Sequence, residues 1–216
     1  MQYLEVKIAN ETLHLLPERA AYWPRTETLF IADPHFGKDA TFRAHAIPLP
    51  HGTTSAELER LTQIIDRTGA QKLIILGDLL HAAKGREPAV IDAVTAWREQ
   101  HRDLAIYLVR GNHDRHAGDP PTEWHMELVD GPTPGPHWVL NHEPHEPEQG
   151  YALTGHLHPA VQLTGKGRQS LKLPCFWFGA KCGVLPAFSA FVDHGTIRPQ
   201  QGEQVFVTTD QQVIAV

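Results

Sequence analysis

Five short polar fragments interrupt this chain, each at or just after an apolar run that is typical of a buried β-strand. They are rich in Asp, Asn and His, which are common metal ligands in proteins. One such fragment alone is frequent by chance, but the ordered series predicts a composite metal site assembled from the ends of several strands. The fragments are Asp33-Pro34-His35, Gly77-Asp78, Gly111-Asn112-His113-Asp114, Asn141-His142 and Gly155-His156-Leu157-His158. Their separations are 45, 34, 30 and 14 residues, measured successively through Asp33, Asp78, Asn112, His142 and His156.

Strand and helix patterns alternate through the first half of the chain. Strands are predicted at 29–32, 72–76 and 104–109, and a polar fragment follows each of them. Between them, the segment 54–57 has the pattern of a capping box at the start of a helix, and Pro88 is typical of the first turn of another. This alternation predicts parallel strands whose carboxyl ends share one edge of a sheet, where ligand sites form.

A second sheet is predicted after about residue 125, where short strand-like runs follow one another with Gly and Pro turns. We expect it to be largely antiparallel and to pack on the first. The expected fold class is therefore α/β, an α+β sandwich of two packed mixed sheets flanked by helices, in one domain over residues 1–216. Segments 41–50 and 116–121 are expected to be irregular. The strand-like runs lie at 137–140, 151–154, 171–173, 184–192 and 204–207.

Composition and charge restrict the class of protein further. The formal net charge of −6 argues against a broad basic surface that coats nucleic acid, although two divalent cations would add positive charge locally. Cys175 and Cys182 match no zinc-site spacing and are interpreted as reduced thiols. The N-terminus alternates like a strand rather than a signal peptide, and no apolar run approaches the ~20 residues that span a bilayer. We therefore expect a cytoplasmic protein without a membrane partner.

Asp78 is the residue that we expect to bridge two metal ions. It follows a buried strand at Gly77, where the lack of a side chain lets the backbone pass close to the ions. Two divalent ions about 3.5–4 Å apart can clamp both the attacking and the leaving oxygen of an in-line displacement at phosphorus. The residue types thus favour hydrolysis of a phosphoester by a bridging hydroxide.

The series of fragments resembles that of the calcineurin-like metallophosphoesterase superfamily, which implies that fold and a binuclear centre. The resemblance also implies that His113 is not a ligand but faces the scissile phosphate, is oriented by Asp114 and assists the leaving group. Mn²⁺ is the expected metal, with Fe²⁺ or Zn²⁺ as alternatives. By the same resemblance, the first ion takes Asp33, His35, Asp78 and His158, and the second takes Asp78, Asn112, His142 and His156.

Positive side chains near the fragments are candidates for gripping substrate phosphates, with solvated surface charge as the alternative. These candidates are Lys38, Arg43 and Arg115. Three further histidines, His45, His81 and His116, lie near the fragments and are interpreted as surface or loop residues.

Phrases between the fragments resemble a narrower family, the bacterial ligase-associated DNA-damage-response endonucleases (PdeM). The resemblance implies a Mn²⁺-dependent phosphodiesterase that acts on DNA in repair, in functional association with a DNA ligase, a helicase and an exonuclease. Two alternatives remain at this point: a small-molecule phosphoesterase acting on nucleotides or other phosphoesters, and a non-catalytic scaffold of the same fold. The phrases lie at 33–38, 47–54, 173–177 and 185–188.

Overall fold

The computed structural model describes residues 3–44, 52–165 and 169–216, and it consists of two β-sheets packed face to face with helices on one outer side. In the first sheet, spatial order follows chain order. β1 to β4 form an antiparallel meander, and β4 to β7 run parallel. Its strands are β1 (Leu4–Ile8), β2 (Glu11–Leu16), β3 (Ala20–Trp23), β4 (Thr28–Ile31), β5 (Lys72–Ile75), β6 (Ala105–Val109) and β7 (Met126–Val129).

The second sheet is built around β10, which pairs in parallel with both β9 and β13, while most of its other pairs are antiparallel. A further parallel pair joins β11 to the short β14. Its strands are β8 (Thr133–Pro134), β9 (Trp138–Leu140), β10 (Tyr151–Thr154), β11 (Pro159–Thr164), β12 (Ser170–Phe178), β13 (Cys182–Val184), β14 (Gly195–Thr196), β15 (Gln204–Thr208) and β16 (Val213–Ala215).

Apolar side chains form two main layers of core. One layer lies between the sheets, where Phe30 and Ile74 of the first sheet meet Leu153 and Phe176 of the second. The other lies between the first sheet and its helices, so burial of apolar surface fixes the three layers in place. The helices are α1 (Lys38–Ala44), α2 (Thr53–Thr68), α3 (Pro88–Gln100) and α4 (Asn112–Ala117). Among the described residues, no helix is long and apolar enough to cross a membrane.

The predicted α/β sandwich of two mixed sheets is confirmed, as are the three predicted parallel strands β4, β5 and β6. The second sheet begins slightly later in the chain than predicted, because β7 still joins the first sheet in parallel with β6. The strand predicted at 184–192 is wrong beyond Val184, and the predicted irregular segment 41–50 is helical at 41–44, with 45–50 outside the described residues. Helix α4 likewise takes in residues 116 and 117.

The predicted capping box at 54–57 is wrong, because both of its side chains bind other parts of the chain. Helix α2 begins at Thr53. Its N-cap residue is Gly52, which has a φ of 88° and no side chain that could form a capping hydrogen bond. The Thr54 hydroxyl accepts a hydrogen bond from the Gly37 amide at 3.1 Å, and Glu57 accepts one from the Ala190 amide at 3.3 Å. Two tertiary contacts thus replace the local reciprocal pair.

Candidate metal centre

The polar fragments meet at one edge of the sandwich, where β4, β5 and β6 of the first sheet and β9 and β10 of the second sheet end. Immediately after these strands the backbone turns sharply, and several non-glycine residues take positive φ. Such conformations are uncommon for side-chain-bearing residues and cluster at functional sites. The residues are Asp33 (51°), His35 (49°), Asp78 (53°), His156 (69°) and His158 (45°).

One group of converging side chains consists of Asp33, His35 and His158, whose candidate ligand atoms all lie within 4.8 Å of one another. His35 Nε2 is 3.3 Å from His158 Nε2, which in turn is 3.7 Å from Asp33 Oδ1. Asp33 and His35 are almost completely buried. The family resemblance implies that these three side chains bind one ion, together with Asp78.

A second group consists of Asp78, His142 and His156, again with ligand atoms within 4.8 Å of one another. Asn112 joins it, since its Oδ1 lies 2.9 Å from His142 Nε2. His156 Nδ1 is 3.0 Å from the same His142 nitrogen. These four residues are the ones that the family resemblance implies for the other ion.

Asp78 stands between the two groups and presents one carboxylate oxygen to each. Its Oδ2 is 3.8 Å from His35 Nε2 in the first group, and its Oδ1 is 3.5 Å from His142 Nε2 in the second. Oδ1 also accepts a hydrogen bond from the His113 amide at 3.0 Å. The position is the one that a bridging carboxylate requires.

The converging atoms are imidazole nitrogens, carboxylate oxygens and an amide oxygen, all of which bind divalent cations through lone pairs. His142 Nδ1 donates to the Leu76 carbonyl at 3.0 Å, so in the neutral imidazole Nε2 is an acceptor that faces another acceptor, Asn112 Oδ1. His158 Nδ1 likewise donates to the Asp193 carbonyl at 3.0 Å, which turns its Nε2 toward Asp33. Against the lowering effect of burial, the Asp33 carboxylate raises the pKa of His158. Asp33 Oδ1 is buried and has no hydrogen-bond partner among the described residues. A cation in each group would satisfy these atoms, and a mixed carboxylate, amide and imidazole set suits Mn²⁺, Fe²⁺ or Zn²⁺.

Two glycines of the fragments are required by close packing against these side chains. A Cβ on Gly77, which has φ of 85°, would lie 2.0 Å from His142 Nδ1. A Cβ on Gly111 would lie 2.1 Å from Asp78 Oδ1. The backbone thus approaches the centre where a side chain would displace a candidate ligand.

Burial strongly affects the electrostatics of the site. Desolvation raises the pKa of Asp78, helped by the neighbouring Asp33 carboxylate and opposed by His142. Burial also lowers the pKa of His35 strongly, and the Lys38 ammonium lowers it further. Both shifts disfavour charge on isolated side chains, so positive ions would compensate buried carboxylates and use the neutral imidazole of His35.

His113 lies beside the first group with one ring nitrogen available. Its Nδ1 donates to the His81 carbonyl at 2.7 Å, and its ring stands edge-on to that of His35, with centroids 5.0 Å apart. In the described part of the chain, no hydrogen bond joins Asp114 to His113, so the expected orienting role of Asp114 stays a prediction. The Asp114 carboxylate instead accepts from the backbone amides of Asp78 at 2.8 Å, Gly111 at 2.9 Å and Leu80 at 3.3 Å.

His81 belongs to the site, although the sequence suggested a surface or loop histidine. It is in a loop, but it is half-buried and stacks on His113 with ring centroids 4.9 Å apart. Its Nδ1 lies 3.5 Å from His35 Nδ1. Burial, together with Lys38 and His113, lowers the pKa of His81 to about 4. Its position three residues after Asp78 is the only sequence signal that pointed to it.

The three basic candidates differ in their surroundings. Lys38 is near enough to His35 and His81 to lower the pKa of both, and burial lowers its own pKa. Arg115 lines a cleft of about 340 Å³ beside Asn112 and His142. Arg43 is engaged by Asp39 at 2.9 Å and Glu87 at 3.4 Å, so its guanidinium already has anionic partners.

The comparisons with known proteins include two solved structures. The nuclease MPE of Pseudomonas putida is a solved structure that is 36% identical, with a TM-score of 0.87, covering 99% of this chain and 100% of that one. Yfce, a phosphoesterase from E. coli, is 18% identical with a TM-score of 0.42, covering 88% of this chain and 97% of that one. A search of curated proteins returns no match.

The family model of the calcineurin-like phosphoesterases matches residues 27–161, a segment that contains all five polar fragments. The predicted enzyme class, a metal-dependent phosphoesterase, is thereby confirmed. Because the match spans more than half of its length, the chain belongs to the calcineurin-like phosphoesterase family.

Proposed function

We propose that this phosphoesterase is a two-metal phosphodiesterase that cleaves DNA internally, with Mn²⁺ as its metal. The observation that carries the proposal is the pair of ligand groups that share Asp78, with His113 beside them. One group would hold an ion with Asp33, His35 and His158. The other would hold an ion with Asn112, His142 and His156.

Two bound divalent cations would activate water and neutralise negative charge on the phosphate. The chain itself would hold the phosphate in reach of a proton donor. His113 is suited to that role because the His81 carbonyl holds its Nδ1–H. When the ring carries a proton on both nitrogens, Nε2–H would be free to donate to the departing oxygen. Asp114 would act as a positioning residue, since it holds the amide of Asp78 rather than the ring of His113.

DNA is proposed as the substrate because a relative with 36% identity over the whole chain is a nuclease. Lys38 and Arg115 are our candidates for contacts with the phosphate backbone, since one lies beside His35 and the other beside Asn112. Arg43 would contribute only after exchanging its carboxylate partners. By family resemblance, we further propose that the enzyme works in DNA repair in the cytoplasm, in functional association with a DNA ligase, a helicase and an exonuclease.

A small-molecule phosphoesterase is the alternative that uses the same metal chemistry. The two proposed functions differ in the size of the best substrate, so one set of activity assays distinguishes them. The purified protein with Mn²⁺ is tested on circular single-stranded DNA, duplex DNA, cyclic nucleotides and phosphomonoesters. Cleavage of circular DNA supports the proposal directly, because a circle has no end for an exonuclease. Hydrolysis of the small esters alone would overturn it, and loss of all activity in Asp78→Ala would exclude a contaminating nuclease.

A further inference from the structure

A cavity of about 460 Å³ lies beside the candidate metal centre, on the outer face of the second sheet. Trp177 of β12 and Val184 of β13, which are register partners, line it. Leu157 lines it as well, and this residue stands between His156 and His158 in the chain, about 3.8 Å in Cα spacing from each. The segment that follows His142 supplies another wall through Pro144. Two loops that bear candidate ligands therefore also border this cavity.

The chemistry of the lining selects a neutral, partly apolar group. Among its described lining residues none is Lys or Arg, whereas Glu146 and Glu203 bring negative charge. A phosphate would therefore be repelled here, unlike in the cleft that Arg115 lines. The indole of Trp177 and the side chain of Leu157 offer apolar surface, and Gln201 offers an amide for the polar edge of a ligand.

The walls of the cavity are held by hydrogen bonds within two turns. In one turn, the Gly179 amide donates to the Cys182 carbonyl at 2.8 Å, and the Tyr151 hydroxyl donates to the Gly179 carbonyl at 2.9 Å. In the other, the Glu203 amide donates to the Gln200 carbonyl at 3.1 Å. The cavity is thus formed before a ligand arrives, and its volume is in the range of small-ligand sites, about 300–1,000 Å³.

We propose that this cavity is a nucleobase subsite, which takes the base of a nucleotide next to the scissile phosphate. The inference rests on the proposed DNA substrate and names how that substrate is held. The phosphate lies at the metal centre, and the neighbouring base leaves the backbone to contact Trp177 and Leu157. Such recognition requires unpaired bases, so the subsite predicts a preference for single-stranded over duplex DNA.

Two small substrates with the same leaving group isolate the contribution of the base. Thymidine 5′-(p-nitrophenyl phosphate) carries a base, and methyl p-nitrophenyl phosphate does not. Trp177→Leu keeps an apolar side chain next to Val205 but removes the indole. Ala180→Phe fills the cavity from an exposed position. Ala89→Phe places the same bulk on an exposed alanine of α3 and serves as the matched control.

We expect Trp177→Leu and Ala180→Phe to raise KM for the thymidine ester by roughly 5- to 140-fold, the range that loss of one base–aromatic contact produces. Neither variant should change kcat/KM for the methyl ester more than about 2-fold, since the metal centre is untouched. Trp177→Phe should retain much of the affinity, and Ala89→Phe should behave as wild type. Equal loss on both esters would overturn the subsite, because it would mean damage to the catalytic centre.

A photocrosslink supplies a readout that does not depend on turnover. Single-stranded oligonucleotides carrying 5-iodouracil should crosslink to the peptide that contains Trp177 or to that of Leu157, and Ala180→Phe should suppress the product. Crosslinks confined to other peptides would overturn the proposal while leaving DNA cleavage in place. A wild-type protein that hydrolyses the methyl ester but neither cleaves nor crosslinks DNA would overturn the proposed function together with the subsite.

Discussion

At the residue scale, Asp78 is the side chain on which both candidate ligand groups depend. We expect Asp78→Ala to abolish binding of both ions and to lower phosphodiesterase activity by more than about 100-fold. Loss of a residue that only supports a metal ligand costs up to about 100-fold, and Asp78 would itself be a ligand. Mn²⁺ content measured after dialysis and hydrolysis of bis-p-nitrophenyl phosphate check this. Asp92→Ala, which changes an exposed aspartate of α3, is the control. Retention of two ions per chain by Asp78→Ala would refute the bridge.

His113 should affect catalysis according to the leaving group. A general acid contributes about 10²–10⁴-fold when the departing oxygen is a strong base and little when it leaves readily as an anion. His113→Ala should therefore slow hydrolysis of alkyl or DNA diesters by that factor and of p-nitrophenyl esters far less. Metal content should be unchanged. Equal slowing over a series of leaving groups of rising pKa would remove the role of proton donor.

The sequence predicted which residues meet at the centre better than it predicted how they are held. Asp33, Asp78 and His142 could be found because ligand chemistry requires particular residue types at strand ends. The hydrogen bond that holds the His113 ring could not be predicted from the sequence. Its acceptor is the backbone carbonyl of His81, and every residue type has such a carbonyl. For the same reason, nothing in the residue type of Asp114 indicated that it binds three amides.

At the scale of elements, Asp114 fastens the start of α4 to the turn after β5. Its removal would leave three buried amides without an acceptor, at about 1–3 kcal/mol each when fully unsatisfied. Allowing for relaxation, we expect Asp114→Ala to lower the free energy of unfolding by about 3–5 kcal/mol in metal-free urea denaturation. Asp103→Ala, at an exposed site, should change it by less than about 0.5 kcal/mol. A loss confined to metal affinity, with normal unfolding, would show that the turn does not need this carboxylate.

Helix α2 carries a buried acid that should make stability depend on pH. Burial raises the pKa of Glu57 to about 7, against the opposing effects of Ser189, Arg60 and the Ala190 amide, whereas the unfolded value is 4.5. The folded chain therefore binds the proton more tightly. The protonated Glu57 side chain therefore stabilises the fold fully below pH 4.5, and this stabilisation is lost as the pH rises through about 7. The free energy of unfolding falls by about 3 kcal/mol in total over this range.

Glu57→Gln should remove this dependence, since the amide has no proton to lose. We expect the variant to be more stable than wild type at pH 8 and to differ less at pH 5, as measured by urea denaturation of the metal-free chain. Glu59→Gln, on the exposed face of the same helix, is the matched control and should leave the pH profile unchanged. Parallel profiles for wild type and Glu57→Gln would show that Glu57 is ionised in the folded chain throughout this range.

The positions of helices and strands could be predicted where a periodic sequence pattern reflects burial. Prediction failed where a tertiary contact replaced a contact between neighbours in the chain. The strands β4, β5 and β6 are buried on both faces, so their apolar runs are unambiguous. The apolar run after Val184 is also buried, but it follows an irregular path, and the Phe188 amide donates to the Ala32 carbonyl. Burial alone does not distinguish such a segment from a strand.

At the scale of the whole molecule, the candidate centre exists only where the two sheets meet. Asp33, His35, Asp78 and Asn112 follow strands of the first sheet, and His142, His156 and His158 follow strands of the second. An ion bound in either group would therefore connect the sheets, and it would bind the folded chain in preference to the unfolded one. Metal binding and the packing of the sandwich should be coupled for this reason.

This coupling predicts that Mn²⁺ raises the thermal stability of the protein. At a free Mn²⁺ concentration 100 times the Kd, one site stabilises the folded state by about 2.7 kcal/mol, which for a chain of this length corresponds to a rise in Tm of about 5–11 °C. Thermal unfolding followed by circular dichroism, with and without Mn²⁺, measures the shift. The Asp78→Ala chain should show none, and Asp92→Ala should shift as wild type does. An equal shift in Asp78→Ala would mean that Mn²⁺ stabilises the protein at sites away from the junction of the sheets, which would contradict the coupling.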